Sequence, residues 1–177
     1  CGKSSLLDLI ANIRQPASGN LKIGETIHIG YLDQHTNSLK KGRGLERKAI
    51  DFVKEKASRV LIGKKELSAS QLMEQFLFSA SQQHSPISKL SGGERRRLTL
   101  CRMLISAPNV LLLDEPTNDL DIQTLSVLED FLENFKGCVI TVSHDRYFLD
   151  RTVSRIFNFE DFHLKQFEGN YSDFIEK

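Results

Sequence analysis

Three short runs of residues combine types that could carry out phosphate chemistry. Gly2-Lys3-Ser4 stands directly before Leu6, Leu9, Ile10 and Ile13, apolar residues at helical spacing. A helix start of this kind can hold an anion. Backbone N–H groups face the phosphate oxygens, Lys3 neutralises charge at the β/γ position, and the Ser4 hydroxyl can ligate Mg²⁺. The tripeptide is the second half of a G-x-x-x-x-G-K-[ST] phosphate loop, although alone it is equally a polar helix start. The second run, Val110-Leu111-Leu112-Leu113-Asp114-Glu115, is an apolar strand that ends in two carboxylates. Asp114 can bind Mg²⁺ there, and Glu115 can orient and polarise a water molecule. Standing alone, the pair would read as solvent-facing acids.

The third run, Leu90-Ser91-Gly92-Gly93-Glu94, is the most specific. Ser91 with Glu94 three residues later makes a capping box, which by itself describes only a well-capped helix. Two glycines in the first turn cost about 1 kcal/mol each relative to Ala, and capping does not explain them. Bare backbone at a helix start suits the close approach of an anion.

The elements that must position these runs follow from periodicity. A helix after Lys3 is predicted to end by Pro16 and Gly19, followed by a hairpin of two strands, 21–23 and 26–32, joined at Gly24-Glu25. Residues 35–89 are polar and basic, with helical stretches over 45–60 and 70–78, and form an insertion. From Ser91 the pattern becomes regular: a helix to about 106, the strand 110–113, a helix from Ile122 with Leu125, Leu128, Phe131, Leu132 and Phe135 as its buried stripe, and a buried strand 138–142 that leads into Ser143-His144-Asp145. Buried strands alternating with helices indicate an α/β fold around a central parallel sheet, with a small antiparallel part and a helical insertion. In such a sheet, ligands bind beyond the strand C-termini.

Bulk properties agree with one soluble domain. The chain has 177 residues, 40% hydrophobic and 27% charged, and no apolar run near the roughly 20 residues a membrane span needs. No membrane insertion is expected. Cys1-Gly2-Lys3 carries no start methionine or targeting pattern, so the chain reads as a fragment of a longer protein. Cys1, Cys101 and Cys138 lack metal-ligand spacing, and the last two are expected to be buried free thiols in a reducing cytoplasm. His28, His35, His84 and His163 likewise show no ligand spacing. Net charge is +1, but residues 40–66 hold ten Lys and Arg against four acids, a local excess of +6. That segment is expected to lie on one exposed helical face, either as a solvated surface or as a contact for nucleic acid.

Taken in order, Gly2-Lys3-Ser4-Ser5, Gln34, Leu90-Ser91-Gly92-Gly93-Glu94, the 110–115 strand, Asn118-Asp119-Leu120-Asp121 and Ser143-His144 resemble the Walker A end, Q-loop, signature, Walker B, D-loop and switch histidine of ATP-binding-cassette (ABC) ATPases. The resemblance covers nearly the whole chain and implies the P-loop NTPase fold of that family, lacking its N-terminal strand and the first half of the Walker A loop. It also implies ATP and Mg²⁺ as cofactors. Gly2, Lys3, Ser4 and Ser5 would bind ATP from one domain, and Ser91, Gly92, Gly93 and Glu94 the ATP held by the other domain of a head-to-tail pair. Asp114, Ser4 and Gln34 would hold Mg²⁺. Glu115, His144 and Gln34 would be catalytic, with Gln34 touching Mg²⁺ and the attacking water, and His144 the γ-phosphate.

Within the superfamily, the stretch 114–121, the stretch 143–150 and the tail Glu168-Gly169-Asn170-Tyr171-Ser172 are similar to the ABC-F group, and Asp119 with Arg95-Arg96-Arg97 to the second cassette of a Uup-like member. That implies a soluble, cytoplasmic twin-cassette ATPase whose partners are a second cassette in the same chain and the ribosome or its RNA. It also implies that the isolated chain is inactive. An ATPase subunit of an ABC transporter and a DNA-associated ABC-F ATPase remain alternatives, as does a nucleotide-gated binding module that hydrolyses slowly.

Overall fold

The computed structural model describes residues 2–33, 43–118, 120–160 and 163–176. Gln34, most of the start of the insertion and Asp119 lie outside the described residues.

The first helix, α1 (Lys3–Ile10), buries Leu7 and packs across the strand that ends at Asp114. It stops three residues short of the periodic apolar stretch, because Asn12 takes a left-handed φ of 58°. The Ile13 N–H then donates to Asp8 O at 2.8 Å and the Asn12 N–H to Leu9 O at 3.0 Å, a Schellman closure with Asn in the position Gly usually fills. Ile13 is left exposed.

The expected hairpin over 21–32 does not form. Only β1 (Ile29–Leu32) is a strand, and it pairs in parallel with β4 (Val110–Asp114), Leu32 opposite Leu113. Residues 26–28 are held by Asn109 instead: its side chain accepts from the His28 N–H at 2.8 Å and donates to Thr26 O at 2.7 Å. Burial beside a distant apolar strand therefore wins over a local pairing that would leave one face of each strand in water.

After the 3₁₀ turn Arg43–Glu46, the insertion contains α2 (Ala49–Lys54), β2 (Arg59–Ile62), β3 (Lys65–Ser68), α3 (Ala69–Gln75) and α4 (Ala80–His84). The helical reading of 45–60 is corrected at its end: Arg59 to Ile62 form a strand in an antiparallel hairpin with β3, Val60 opposite Leu67. Its two-residue turn has Gly63 at φ 62° in the first central position, the requirement of a II′ hairpin. The described part of the basic segment, from Arg43 onward, consequently does not lie on one helical face. It spreads over α2 and the hairpin, with Lys48, Lys54, Lys56, Lys64 and Lys65 exposed.

The regular part follows the reading from sequence closely. α5 (Gly92–Ile105) leads through a turn to β4, α6 (Ile122–Asn134) follows it, and β5 (Cys138–Val142) pairs with β4 in parallel, giving a sheet of order β1-β4-β5. β4 is buried from Leu111 onward, whereas β5 is only half-buried, and Cys138 at its start is exposed. Both findings correct the expectation of a buried strand with a buried thiol. On α6, Leu128 and Leu132 are buried, while Leu125, Phe131 and Phe135 pack at the margin. The chain ends with α7 (Arg146–Thr152), an antiparallel hairpin of β6 (Arg155–Glu160) and β7 (His163–Glu168), and α8 (Tyr171–Ile175). One apolar core runs through α2, α3, α5, β4 and α6, with Phe76, Phe78, Leu98 and Leu104 almost fully enclosed.

Candidate functional site

The parallel sheet aims the ends of β4 and β5 in the same direction, and three of the residues singled out in the sequence meet there. Asp114 pairs across to Val142 at the last register position, and the Glu115 N–H donates to Val142 O at 2.8 Å, carrying the pairing one residue further. Glu115 then turns out of the strand at φ 48°, a left-handed conformation that a non-glycine residue adopts at a cost of order 1–3 kcal/mol. The turn brings its carboxylate against the next strand's loop. Glu115 Oε2 accepts from the His144 N–H at 3.2 Å, and Glu115 Oε1 lies 3.3 Å from His144 Nε2. The Glu115 side chain is 9% exposed and that of His144 79%. The acid is therefore held from the enclosed side, while the imidazole stands toward solvent.

Asp114 is more deeply enclosed, at 2% exposure, and its Oδ1 has no hydrogen-bond donor among the described residues. A buried carboxylate oxygen without a donor is costly unless a cation meets it. No group of three or more His, Cys, Asp or Glu side chains among the described residues could hold a metal by itself. One carboxylate with a hydroxyl and substrate phosphates is instead the pattern of Mg²⁺, which keeps much of its shell from water and phosphate. The residues present fit that ion.

Gly2 caps α1 in a left-handed conformation, φ 77°, with no side-chain cap. The α-helical pattern begins with the Leu6 N–H donating to Gly2 O at 2.9 Å, so the N–H groups of Lys3, Ser4 and Ser5 have no acceptor within the helix. These donors, which have no acceptor among the described residues, suit an anion together with the positive end of the helix dipole. Deeper along α1, Asp8 accepts from the Tyr31 hydroxyl at 3.0 Å and pairs with Arg14 at 3.1 Å, which fixes the helix to β1. Burial first, then the bond to Asp8, pushes the Tyr31 phenol well above its ordinary range.

Ser91, Gly92, Gly93 and Glu94 form the capping box at the start of α5. The Ser91 N–H donates to Glu94 Oε2 at 2.7 Å, the Glu94 N–H donates to Ser91 Oγ at 3.2 Å, and Gln82 of α4 donates to Glu94 Oε1 at 2.6 Å. The Ser91 N–H bond, ahead of smaller contributions from the Ser91 hydroxyl and Gln82, holds the Glu94 carboxyl below its usual range. A Cβ added at Gly92 would meet no atom within 4 Å. This chain's own packing therefore does not demand the glycine, and the space over it is open to a ligand. No hydrogen bond or ion pair joins residues 91–94 to Lys3, Asp114, Glu115 or His144 among the described residues. Gln34 falls outside the described residues.

Two further contacts bear on the site and were not legible in the sequence. Gln82 holds Glu94 from the insertion, and Arg97 reaches the N-cap of α6, Asp121. Both contacts join segments distant along the chain, and nothing in local spacing announces them.

The chain matches the ABC transporter family over residues 1–118. It is 49% identical over 178 residues to the uncharacterized ABC transporter ATP-binding protein YfmR of Bacillus subtilis, covering 99% of this chain and 28% of the relative. It is 38% identical over 179 residues to the energy-dependent translational throttle protein EttA of Escherichia coli, covering 99% and 31%. The chain thus spans about a third of the length of these curated relatives. Its fold is that of a dimeric ATP-binding cassette, MJ0796, whose structure holds ADP and Pi, with a TM-score of 0.65 at 20% identity over 94% of this chain and 80% of that one.

Proposed function

Because the chain belongs to the ABC transporter family and is an ABC ATPase domain, we propose that its part in the full-length protein is to bind ATP with Mg²⁺ between two head-to-tail cassettes and to hydrolyse it. The observation that carries this reading is the end of β4, where a buried Asp114, one of its oxygens without a donor among the described residues, stands beside a Glu115 that turns out of the strand and contacts His144. Lys3 and the free N–H groups at the start of α1 hold the β- and γ-phosphates. Asp114, Ser4 and Gln34 hold Mg²⁺, which neutralises charge on the phosphate oxygens when bound. Glu115 accepts a hydrogen bond from the attacking water and sets its direction; the water oxygen bonds to the γ-phosphorus as its proton passes to Glu115 and on to solvent, the bond to the bridging oxygen breaks with its electron pair staying on ADP, and ADP and phosphate leave. Such a reaction asks little covalent chemistry of the protein, so positioning dominates. His144, exposed and in contact with Glu115, faces the γ-phosphate. Gly2 supplies the left-handed turn at the phosphates, and Ser5 adds a donor beside Ser4. Ser91, Gly92, Gly93 and Glu94 close over the nucleotide of the partner cassette. Lys3→Ala should abolish ATP binding, because it removes a charge that balances the ground-state phosphates; retention of full affinity in a fluorescent ATP-analogue titration would displace Lys3 from this role.

The protein as a whole is read as a cytoplasmic ABC-F ATPase that engages the ribosome in its closed, ATP-bound state. The name of EttA, a translational throttle, supports this, and no helix among the described residues is long and apolar enough to cross a membrane. The exposed Lys54, Lys56 and Lys64 form no ion pair among the described residues, whereas Glu55 is taken by Arg47 and Arg102, and Glu66 by Arg59. They are the candidate contacts to ribosomal RNA. Reversing all three to Glu should weaken co-sedimentation of the full-length protein with ribosomes and lower the slope of log K against log salt by about three. Unchanged sedimentation would remove RNA contact from this surface.

A further inference from the structure

Two capping boxes, at the starts of α4 and α5, are joined through one side chain. In the first, Gln82 Oε1 accepts from the Ser79 N–H at 2.9 Å and from the Ser79 hydroxyl at 3.0 Å. In the second, Glu94 Oε2 accepts from the Ser91 N–H. Gln82 Nε2 crosses from one box to the other and donates to Glu94 Oε1 at 2.6 Å. The orientation of this amide is fixed by chemistry, because the atom beside the Ser79 N–H must accept and the atom beside a carboxylate must donate. Gln82 also stands on a held element. The next residue, Gln83, is buried, accepts from the Ser70 hydroxyl at 2.7 Å and donates to Phe78 O at 3.2 Å, which ties α4 to α3.

The bond from Gln82 decides where the negative charge at the start of α5 lies. The α-helical pattern begins with the Arg95 N–H donating to Ser91 O at 2.9 Å, so the N–H groups of Gly92 and Gly93 have no acceptor within the helix. Two backbone donors are thus open to an anion, and the Glu94 carboxylate is an anion on the same turn. With Oε1 held by Gln82 and Oε2 by Ser91, it lies beside those donors rather than over them. Released from Gln82, it is free to turn into the open space over Gly92, where it competes with an incoming phosphate and repels it. Of the charged groups on α5, Arg97 attracts Glu94, while Arg95 and Arg96 donate to the carbonyls of Ser88 and Asp33. The titratable residue of α4, His84, has its Nδ1 against Ala80 O at 2.9 Å within its own helix.

We propose, resting on the role given above to residues 91–94, that Gln82 is a positioning residue: it parks the Glu94 carboxylate at the side of the helix start and keeps the Gly92 and Gly93 N–H groups open to the γ-phosphate held by the partner cassette. The insertion thereby takes part in hydrolysis at a nucleotide it does not itself touch.

The test uses the full-length protein with Mg·ATP. Gln82→Glu keeps the box at Ser79, where Glu and Gln serve alike, and sets a second carboxylate against Glu94. At about pH 8 this variant should lower turnover by roughly 10- to 100-fold, the scale of losing one hydrogen bond to a charged group. ATP affinity should stay within about two-fold of wild type, because Gln82 lies outside the residues that hold the nucleotide of its own domain. Two carboxylates this close do not both ionise freely, so as pH falls toward about 6 a shared proton restores the missing donor, and turnover relative to wild type should recover. Adding Glu94→Gln turns the pair round, carboxylate at 82 and amide at 94, and should return turnover to at least the level of Glu94→Gln alone. Wild-type turnover by Gln82→Glu at both pH values would overturn the inference, and the reading of residues 91–94 then stands if Gly92→Ala is slow. A loss that neither acid nor Glu94→Gln relieves, and that tracks a lowered melting temperature of this cassette, makes Gln82 a clamp of the fold and overturns its part in hydrolysis. If Gly92→Ala itself turns over normally, the reading of residues 91–94 fails, and this one with it.

Discussion

Replacing Gly92 by Ala should stabilise the fold and impair turnover at the same time. Gly92 is the first residue of α5, its φ is not left-handed, and a Cβ built on it meets nothing within 4 Å. Ala in a helix is favoured over Gly by up to about 1 kcal/mol, and at a first-turn position about half that is the conservative figure. For a domain of this size the gain raises Tm by about 1–4 °C. The surface that tolerates the methyl in the free chain is the one assigned to the partner's nucleotide. A methyl forced into a packed contact costs about 1–3 kcal/mol, which is about 5- to 150-fold in rate if the contact tightens toward the transition state. Scanning calorimetry of the full-length protein, following the transition of this cassette, and phosphate release under saturating ATP read the two effects separately. A lowered Tm would show that the glycine serves the chain's own fold. A raised Tm with unchanged turnover would show that no ligand approaches it.

Thiol chemistry should divide the cysteines. Burial pushes the Cys101 thiol far above its usual range, and it is fully enclosed, so iodoacetamide at mild pH should label Cys138 in the native protein and Cys101 only after denaturation, as read by peptide mass spectrometry. Acid should weaken the start of α5. Glu94 has a folded pKa below its unfolded value, so its stabilisation is present above the ordinary glutamate range and is lost as pH falls through the depressed folded value. Thermal melts from pH 6 downward should show a shallower loss for Glu94→Gln than for wild type, and parallel curves would remove Glu94 from the account.

Where the sequence was informative, the physics was local. The helix from Gly92, the strand 110–114 and the helix from Ile122 each combine a cap with a clear period, and they form within a residue or two of where they were expected. The hairpin at Gly63-Lys64 was equally local, with Val60-Leu61-Ile62 before it and Leu67 after it, but the surrounding charge masked its alternation. The pairing of β1 was not legible, because the choice between a neighbouring strand and β4 depends on burial 81 residues away. Half-burial of β5 and exposure of Cys138 depend likewise on what covers that edge of the sheet. At the site, residue types and order pointed to Asp114, Glu115 and His144, whereas the left-handed turn that presents Glu115 and the Arg97–Asp121 contact appear only in three dimensions.

The central claim is that Glu115 is the carboxylate that serves the attacking water. Glu115→Gln keeps the shape, and its amide can still bond near His144, but the negative charge that receives and orients the water is gone. The measurement is steady-state phosphate release by the full-length protein under saturating Mg·ATP, alongside ATP affinity. The account predicts retained affinity and turnover lower by roughly 10² to 10⁴, the scale of losing a positioned acid–base group; near-normal phosphate release would contradict it.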